Sequence, residues 1–385
     1  MTLLNAPWLT APNTQLVLST LTGAGYEAYV VGGSVRNTLL GVPVSDLDIA
    51  TSARPDQVVG VFEASGVKVV PTGIEHGTVT VVLGGAPFEV TTFRKDIETD
   101  GRRAVVQFSE TMADDAFRRD FTINALYCDA TGVIYDPVGG LSDLERRRVR
   151  FIETPETRIR EDYLRILRFF RFHAWYGDDA DGLDADGLAA CAANLDGLDQ
   201  LSRERVGAEF LKLLAAPHPE TALGAMEQSG VLARLLPGAG CKTVFALSVL
   251  GADPDPVVRL AAMGGVDVSE RLRLSKKQAA KLELLRAAMG SSEAIDSLAY
   301  RYGGAIAVAA TYLRSAMFET CLPDGWRREV ERGMAAVFPV KARDLPPSFE
   351  GPALGRALKQ MEQRWINSHF DLTKPNLLSD YLGDT

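Results

Sequence analysis

The sequence predicts an α+β fold, in which a small mixed head precedes an all-helical remainder. Three observations carry that reading. β-Branched runs bounded by glycine and proline ("GVKVV", "GTVTVVL" and "PFEVTTF") all fall before residue 150. Strand signals nearly vanish beyond Thr157. Stretches such as "REDYLRILRFFRFHAWY", "RERVGAEFLKLLAA" and "KKQAAKLELLRAAM" then space their apolar residues as helices do. The 385 residues suit two or three domains at roughly 100–200 residues each. The expected boundaries are a head over 1–150, a helical neck over 151–215 and a helical body and tail over 216–385.

Within the head, "YVVGG" (29–33) reads as a buried strand, and "SVRNTLLG" as a helix opened by Ser34 and closed by Gly41. "DLDIAT" reads as the next strand, and "RPDQVVGVFEAS" as a helix with Pro55 near its start. "GGA" between the last two β-branched runs marks a hairpin. The charged, Gly-containing segment "TTFRKDIETDGRRAVVQF" has the character of a mobile loop. In the neck, "REDYLRILRFFRFHAWY" is expected as one continuous helix, and "GDDADGLDADG" as an exposed acidic loop.

Composition narrows the function classes. No apolar run approaches the ~18 residues of a membrane helix, and "MTLLNAPWLT" lacks a basic leader followed by an apolar core. Cys128, Cys191, Cys241 and Cys321 are scattered and form no C-x-x-C pair, so a reduced cytoplasmic protein is expected. The net charge of -9 argues mildly against a nucleic-acid partner, yet its distribution is uneven. Nine arginines face four acids between Arg146 and Arg171, while seven aspartates and no lysine or arginine follow from Phe172 to Gln200. A polyanion can bind locally to such a basic band despite the overall sign.

Three constellations carry chemistry. Asp46 and Asp48 stand at i and i+2 in a predicted strand, which puts both carboxylates on one face. Hard oxygen ligands left partly open suit Mg²⁺ with water and substrate phosphates, although a solvated aspartate pair has the same pattern. Gly32 and Gly33 end a strand and open a helix, where backbone amides attract a phosphate, and Arg36 lies one turn further on. Neither the dinucleotide G-x-G-x-x-G spacing nor G-x-x-x-x-G-K-[ST] is present, so an anion turn beside a metal pair points to nucleotidyl transfer.

The second constellation is "FRRDFTINAL". Arg118 and Arg119 cannot share one helical face, so one is free for phosphate while the other pairs with a carboxylate. Asp120 and Asn124 support them, or Asp120 merely caps a helix. The third is "EDYLRILRFFR", where Asp162, Arg165, Arg168 and Arg171 recur every three residues beside Glu161. That spacing lines them along one face of the expected helix, which a solvated amphipathic helix also explains.

"GGSVRNTLLG…DLDIAT", "RRDFTINAL", "DATGVIYDPVGGLSDL" and "REDYLRILRFFRF", in that order, resemble the class II tRNA nucleotidyltransferases. This family includes the CCA-adding enzymes and bacterial poly(A) polymerases. The resemblance spans roughly residues 25–215, including "LSRERVGAEFLKLL", and is weak beyond. It implies Mg²⁺ on Asp46 and Asp48 as the catalytic site, with CTP and ATP as substrates and the acceptor end of tRNA as partner. Gly33, Arg36 and Arg119 would hold the triphosphate and ribose. Asp162 and Arg165 would read the base, with Arg168 and Arg171 completing the pocket. The family usually has Asp where this chain has Asn37. The helical half would hold tRNA, with Lys276, Lys277, Lys281, Arg356 and Lys359 as candidate phosphate contacts, though solvated helix faces explain these residues equally well.

The resemblance leaves full CCA addition, A addition alone, poly(A) synthesis and a catalytically silent RNA- or nucleotide-binding module as readings. The segment "TTFRKDIETDGRRAVVQF" resembles the loop needed for switching from C to A, and "SDYLGDT" is acidic where polymerases carry a basic extension, which favours the first. None of His76, His173, His218 or His369 is followed by Asp, so the fused phosphohydrolase domain of some members is not expected.

Overall fold

The computed structural model describes residues 3–100 and 103–379. Contacts divide the chain into two compact units. One runs up to Pro237 and includes Glu270–Arg273; the other comprises Gly238–Ser269 and the chain from Leu274 onward.

The first unit opens with α1 (Pro7–Thr10) and α2 (Pro12–Gly23), each with proline in its first turn, where no donor is lost. β1 (Ala28–Val31), α3 (Gly33–Leu39), β2 (Asp48–Thr51) and α4 (Pro55–Ala64) follow. β3 (Lys68–Gly73), β4 (Thr78–Leu83) and β5 (Ala86–Thr92) form a meander whose β4–β5 turn is the expected glycine hairpin. With β8 (Tyr127–Cys128) and β9 (Ile134–Tyr135) they make a seven-stranded sheet in the order β3-β4-β5-β2-β1-β8-β9. Only the β2–β5 pair is parallel among the described pairings of this sheet, so it is mixed as expected.

Two expectations change. "TTFRKDIETDGRRAVVQF" is paired as a separate antiparallel ribbon of β6 (Arg94–Asp100) and β7 (Arg103–Phe108), with a bulge between Asp96 and Glu98. Its Thr, Ile and Val content favours extended backbone over a mobile loop. Gly101 and Arg102 lie outside the described residues. The long neck helix is also broken. After α5 (Met112–Phe117) and α6 (Gly140–Glu145), α7 (Pro155–Glu161) stops before Asp162, which is extended at φ -153° and ψ 105°. α8 (Leu164–Tyr176) then starts afresh, and the Asp162 side chain accepts from the Leu164 amide at 3.1 Å. An aspartate whose side chain bonds its own backbone competes with helix hydrogen bonding, and here it wins.

Aromatic packing joins the sheet head to α8. Phe121 lies 4.9 Å from Phe151 and 5.0 Å from Phe172 between ring centroids, and Phe151 stacks on Phe169 at 5.4 Å. All four rings are buried, each contributing about 1.5–3 kcal/mol of apolar burial. α9 (Ala185–Ala193), α10 (Arg203–Leu214), α11 (Glu220–Gln228) and α12 (Val231–Leu235) complete the unit.

"DATGVIYDPVGGLSDL" explains itself as a buttress for residues 122–124. Asp136 accepts from the Gly140 and Leu141 amides at 2.7 and 2.9 Å, which caps α6. Asp143 on α6 accepts from Thr122 Oγ1 at 2.6 Å.

The second unit is helical, with α13 (Lys242–Val249), α14 (Pro256–Met263), the start of α15 (Val268–Arg271), α16 (Lys276–Gly290), α17 (Ile295–Tyr302), α18 (Gly304–Met317), α19 (Trp326–Ala335), α20 (Gly351–Asn367) and α21 (Lys374–Leu378). One apolar cluster centres on Leu298, Ala307, Ala310 and Trp326, and a second on Met361, Trp365 and Leu377. Among the described residues no helix is long and apolar enough to cross a membrane.

A Cβ at Gly140 would stand 2.1 Å from the Thr122 carbonyl oxygen, a backbone atom that cannot turn away. Gly140→Ala is expected to destabilise the protein by about 1–3 kcal/mol. A lowered urea midpoint checks this.

Candidate active site

β1 and β2 run antiparallel with Val31 opposite Asp48. The strand that ends in the glycine turn and the strand that begins at the aspartates therefore meet at one end of the sheet. β2 starts at Asp48, so Asp46 precedes the strand instead of lying in it. Asp46 and Asp48 are nonetheless both exposed, with Leu47 half-buried between them, as alternation requires. Ser45 Oγ donates to Asp46 Oδ2 at 2.9 Å.

A third carboxylate was not found from sequence spacing. Glu89 on β5 stands directly opposite Asp48 in the parallel register and is exposed. Desolvation, then Glu89, and to a smaller extent Asp46, push the Asp48 carboxyl above its ordinary range, against Arg119, which lowers it. Carboxylates that crowd each other in this way are what a bound cation relieves, so the donor set fits a divalent metal. Among the described residues no three metal-ligating side chains converge closely enough to hold an ion by themselves. Water and substrate phosphates would have to complete the coordination of an ion held there.

Gly32 adopts φ 73° and ψ -117°, a conformation that glycine reaches without strain. Its amide is committed to the Leu126 carbonyl at 3.0 Å, so the expected anion turn narrows to the amides from Gly33 onward. Ser34 Oγ, in the first turn of α3, is buried with no hydrogen-bond partner. The Arg119 guanidinium faces this turn, with Nη1 3.5 Å from where a Gly32 Cβ would stand.

The two adjacent arginines do not divide their tasks as expected. Both pair with Asp115, a buried residue of α5: Arg118 Nε donates to Oδ1 at 2.9 Å and Arg119 Nη2 to Oδ2 at 2.9 Å. Tyr127 OH donates to the same Oδ2 at 2.7 Å. Asp115 precedes them by three and four residues in "DAFRR", a helical pairing that sequence spacing could have shown.

Arg36 turns inward. It is buried, donates to Asn37 Oδ1 through Nε at 3.1 Å and to Tyr176 OH at 2.9 Å, and bonds Asn124 Oδ1. Its guanidinium also lies 4.0 Å from the Tyr176 ring centroid. Burial, helped by Arg171, lowers its pKa, while Tyr176 and Asp120 raise it. These partners give Arg36 a place between α3 and α8, with Nη2 3.7 Å from where a Gly33 Cβ would stand. Asn37 supplies the acceptor that an aspartate would.

Asp120 is a buried ion partner and no helix cap. It accepts from Asn124 Nδ2 at 2.9 Å and from Arg168 at 2.7 and 2.6 Å. Burial pushes its carboxyl up, but Arg168, Asn124 and Arg165 hold it well below the usual carboxylate range. Arg171 is likewise paired, with Glu209 of α10 at 2.5 Å. Arg168 and Arg171 thus fasten α8 to its neighbours. The other two expected readers have different side-chain partners, although the Arg165 amide donates to the Asp162 carbonyl at 3.0 Å. Asp162 pairs with Arg205 of α10 at 2.5 Å, while Arg165 bonds Glu161 and the Arg158 and Arg118 carbonyls at 2.8 and 3.2 Å. Arg205 and Glu209 escaped sequence reasoning, because their partners lie about 40 residues earlier in the chain.

In the second unit Lys276 and Lys277 are exposed at the start of α16, and Arg356 and Lys359 are exposed on α20. Lys281 is tied to Asp255 at 2.5 Å.

A mixed sheet with paired aspartates beside a glycine turn and a buried guanidinium defines a nucleotidyltransferase head. The pattern of the family described as "Poly A polymerase head domain" matches residues 28–150, and that of "Probable RNA and SrmB- binding site of polymerase A" matches 183–241. The chain belongs to the CCA tRNA nucleotidyltransferase family. It is 33% identical over 374 residues to the Mus musculus "CCA tRNA nucleotidyltransferase 1, mitochondrial", covering 92% of this chain and 86% of that one. It is 44% identical over 212 residues to a Streptococcus pyogenes "CCA-adding enzyme", covering 54% of this chain and 51% of that protein. The crystal structure of the Bacillus stearothermophilus CCA-adding enzyme in complex with CTP matches with TM-score 0.70 and 29% identity, over 92% of each chain. A divalent metal belongs to the chemistry of such enzymes.

Asp120→Ala leaves Arg168 facing a lost partner and is expected to cost about 3 kcal/mol, near the lower end for a buried pair because Arg168 keeps some solvent contact. Urea unfolding measures this. Asp115 behaves like Asp120: burial raises it, but Arg119 and Arg118 hold it well down. Carboxyls depressed in the folded state contribute stability that is complete above their unfolded value of about 3.9 and is lost as pH falls below it. Stability is therefore expected to drop steeply below about pH 4, and Asp115→Asn with Asp120→Asn to flatten that slope.

Proposed function

We propose that this chain adds C, C and A to the 3′ end of tRNA from CTP and ATP, releasing pyrophosphate. The observation that carries the reading is the exposed Asp46–Asp48 pair beside the glycine turn and Arg119, in a chain similar along most of its length to a named CCA tRNA nucleotidyltransferase. The CTP complex of the Bacillus stearothermophilus enzyme supports CTP as one substrate.

Asp46 and Asp48 would hold Mg²⁺, a hard cation suited to carboxylate, phosphate and water oxygens. When bound, it supplies charge neutralisation for the triphosphate and lowers the pKa of the attacking hydroxyl. The tRNA 3′-oxygen forms a bond to the α-phosphorus, and the bond from that phosphorus to the pyrophosphate oxygen breaks. The amides from Gly33 onward, Ser34 Oγ and Arg119 line the side of the site where the triphosphate would lie. Arg36, Asn124, Asp120 and Arg168 hold α3 and α8 in position around it.

Base choice follows from edge chemistry. Cytosine and adenine each present an exocyclic amine donor beside a ring-nitrogen acceptor, which a carboxylate and a guanidinium complement. Uracil and guanine present the reverse pattern and mispair both contacts. Asp162, at the break between α7 and α8, and Arg165, in the first turn of α8, supply this carboxylate and guanidinium, with Glu161 orienting Arg165. Lys276, Lys277, Arg356 and Lys359 are proposed tRNA phosphate contacts on grounds of their exposure. The cytoplasmic location is part of the same proposal and is supported by four free cysteines.

The test combines purified protein, tRNA lacking its 3′ end, Mg²⁺ and each labelled nucleotide, with products sized to the nucleotide. Addition of C, C and A followed by a stop supports the reading; A alone or an open-ended A tail replaces it. Asp46→Asn is expected to lower incorporation roughly 10²–10³-fold or more; activity at wild-type level would remove Asp46 from the metal site, and no incorporation by the wild-type protein would leave only a binding module. Arg165→Ala is expected to admit UTP and GTP, and unchanged selectivity would sink its assignment.

A further inference from the structure

α10 presents Arg205 and Glu209 to α8 from one face, four residues apart. Glu209 takes Arg171, in the middle of α8, at 2.5 Å. Arg205 reaches Asp162, just before α8 begins, with Nη2 2.5 Å from Oδ2. The other carboxylate oxygen of Asp162 accepts from the Leu164 amide at 3.1 Å. Two fixed donors, one on each oxygen, determine the plane of this carboxylate. Asp162 and Arg205 each retain about a quarter of their side-chain exposure, so lone pairs on the open side remain available to a ligand. Arg165 is held by different groups, Glu161 and two backbone carbonyls, so nothing on its side performs the same task for Asp162.

We infer that Arg205 is a positioning residue for base selection, acting through Asp162; this rests on the base-reading assignment made above. A carboxylate discriminates an amine from a carbonyl only while its lone pair is aimed at that group. An Asp162 free to rotate can turn away from a uracil oxygen and bring in a water that satisfies it. Fixed by Arg205, it leaves the wrong base with acceptor facing acceptor in a partly desolvated site, which is the expensive mismatch. Arg205 itself need not touch the nucleotide. Its short, charge-assisted contact at the one irregular residue between α7 and α8 also explains why the break is held at Asp162.

The experiment is a double-mutant cycle on the full-length protein, reading the ratio of kcat/KM for CTP to that for UTP on tRNA lacking its 3′ end. Arg205→Ala is expected to lower this ratio about tenfold or more, comparable to loss of a charged hydrogen bond, while Arg205→Lys restores part of it. In the double mutant with Asp162→Asn, the ratio is expected to match Asp162→Asn alone, because one residue acts through the other. Inhibition by inorganic pyrophosphate is expected to stay unchanged throughout, since the phosphate end of the site lies on other elements. Should Arg205→Ala fail to fold by urea unfolding, Arg205→Gln and Arg205→Lys carry the same comparison. An unchanged ratio in the Arg205 variants overturns the inference, as does an Arg205 effect that multiplies fully with that of Asp162→Asn. Unchanged selectivity in Asp162→Asn itself overturns the base-reading assignment, and this inference with it.

Discussion

A buried relay of polar side chains runs from Arg36 through Asn124 and Asp120 to Arg168, and the site depends on it. Arg36 belongs to the helix that follows the glycine turn, Asn124 and Asp120 to the segment after the double arginine, and Arg168 to the helix of the neck. Each group's charge or dipole is satisfied by the next. Left singly in a low-dielectric interior, each would carry a desolvation cost that no packing gain offsets. Because every member has its partner, the relay fixes how α3, residues 120–124 and α8 face one another.

The same economy of pairing explains the basic band. Of its nine arginines, Arg148, Arg150, Arg158, Arg165, Arg168 and Arg171 form ion pairs with Asp184, Asp143, Glu153 and Glu161, Glu161, Asp120 and Glu209 in turn. A stretch that reads as a polyanion site in the sequence is therefore largely an internal lattice. Its charge is balanced by Glu153 and Glu161 of the band itself and by Asp120, Asp143, Asp184 and Glu209 from other parts of the first unit. Arg119, with Asp115 behind it, shows how such pairing still serves chemistry. A guanidinium anchored on one edge presents its other edge to a fixed place, here the glycine turn.

At the aspartate end of the sheet the logic is reversed. Asp46 and Asp48 are held apart from the arginine lattice at the exposed end of the sheet, and Glu89 comes beside Asp48 across the parallel pairing. Desolvation first, then Glu89 and Asp46, push the Asp48 carboxyl up against Arg119. Negative charge is thus concentrated here and only partly relieved by Arg119, whereas the carboxylates that hold the helices are each paired.

Much of this was legible from residue order alone. Local signals such as the glycine hairpin, the strand–turn–helix at Gly32 and Gly33 and the i, i+2 aspartates act over a few residues, where steric preference and side-chain alternation decide the outcome. Four ordered motifs pointed to the family, and the comparison over most of the chain agrees. What sequence spacing could not show was the partner of each charged group. Arg36 turned to Tyr176 140 residues away, Arg168 to Asp120 and Asp162 to Arg205. The break at Asp162 depended on a capping bond in competition with a good helical pattern. Residue order determined which chemical groups this protein carries and the strands and turns that present them. Only the tertiary structure decided which arginine faces the glycine turn and which neutralises a buried carboxylate, because that choice is made by desolvation and by contacts between distant segments.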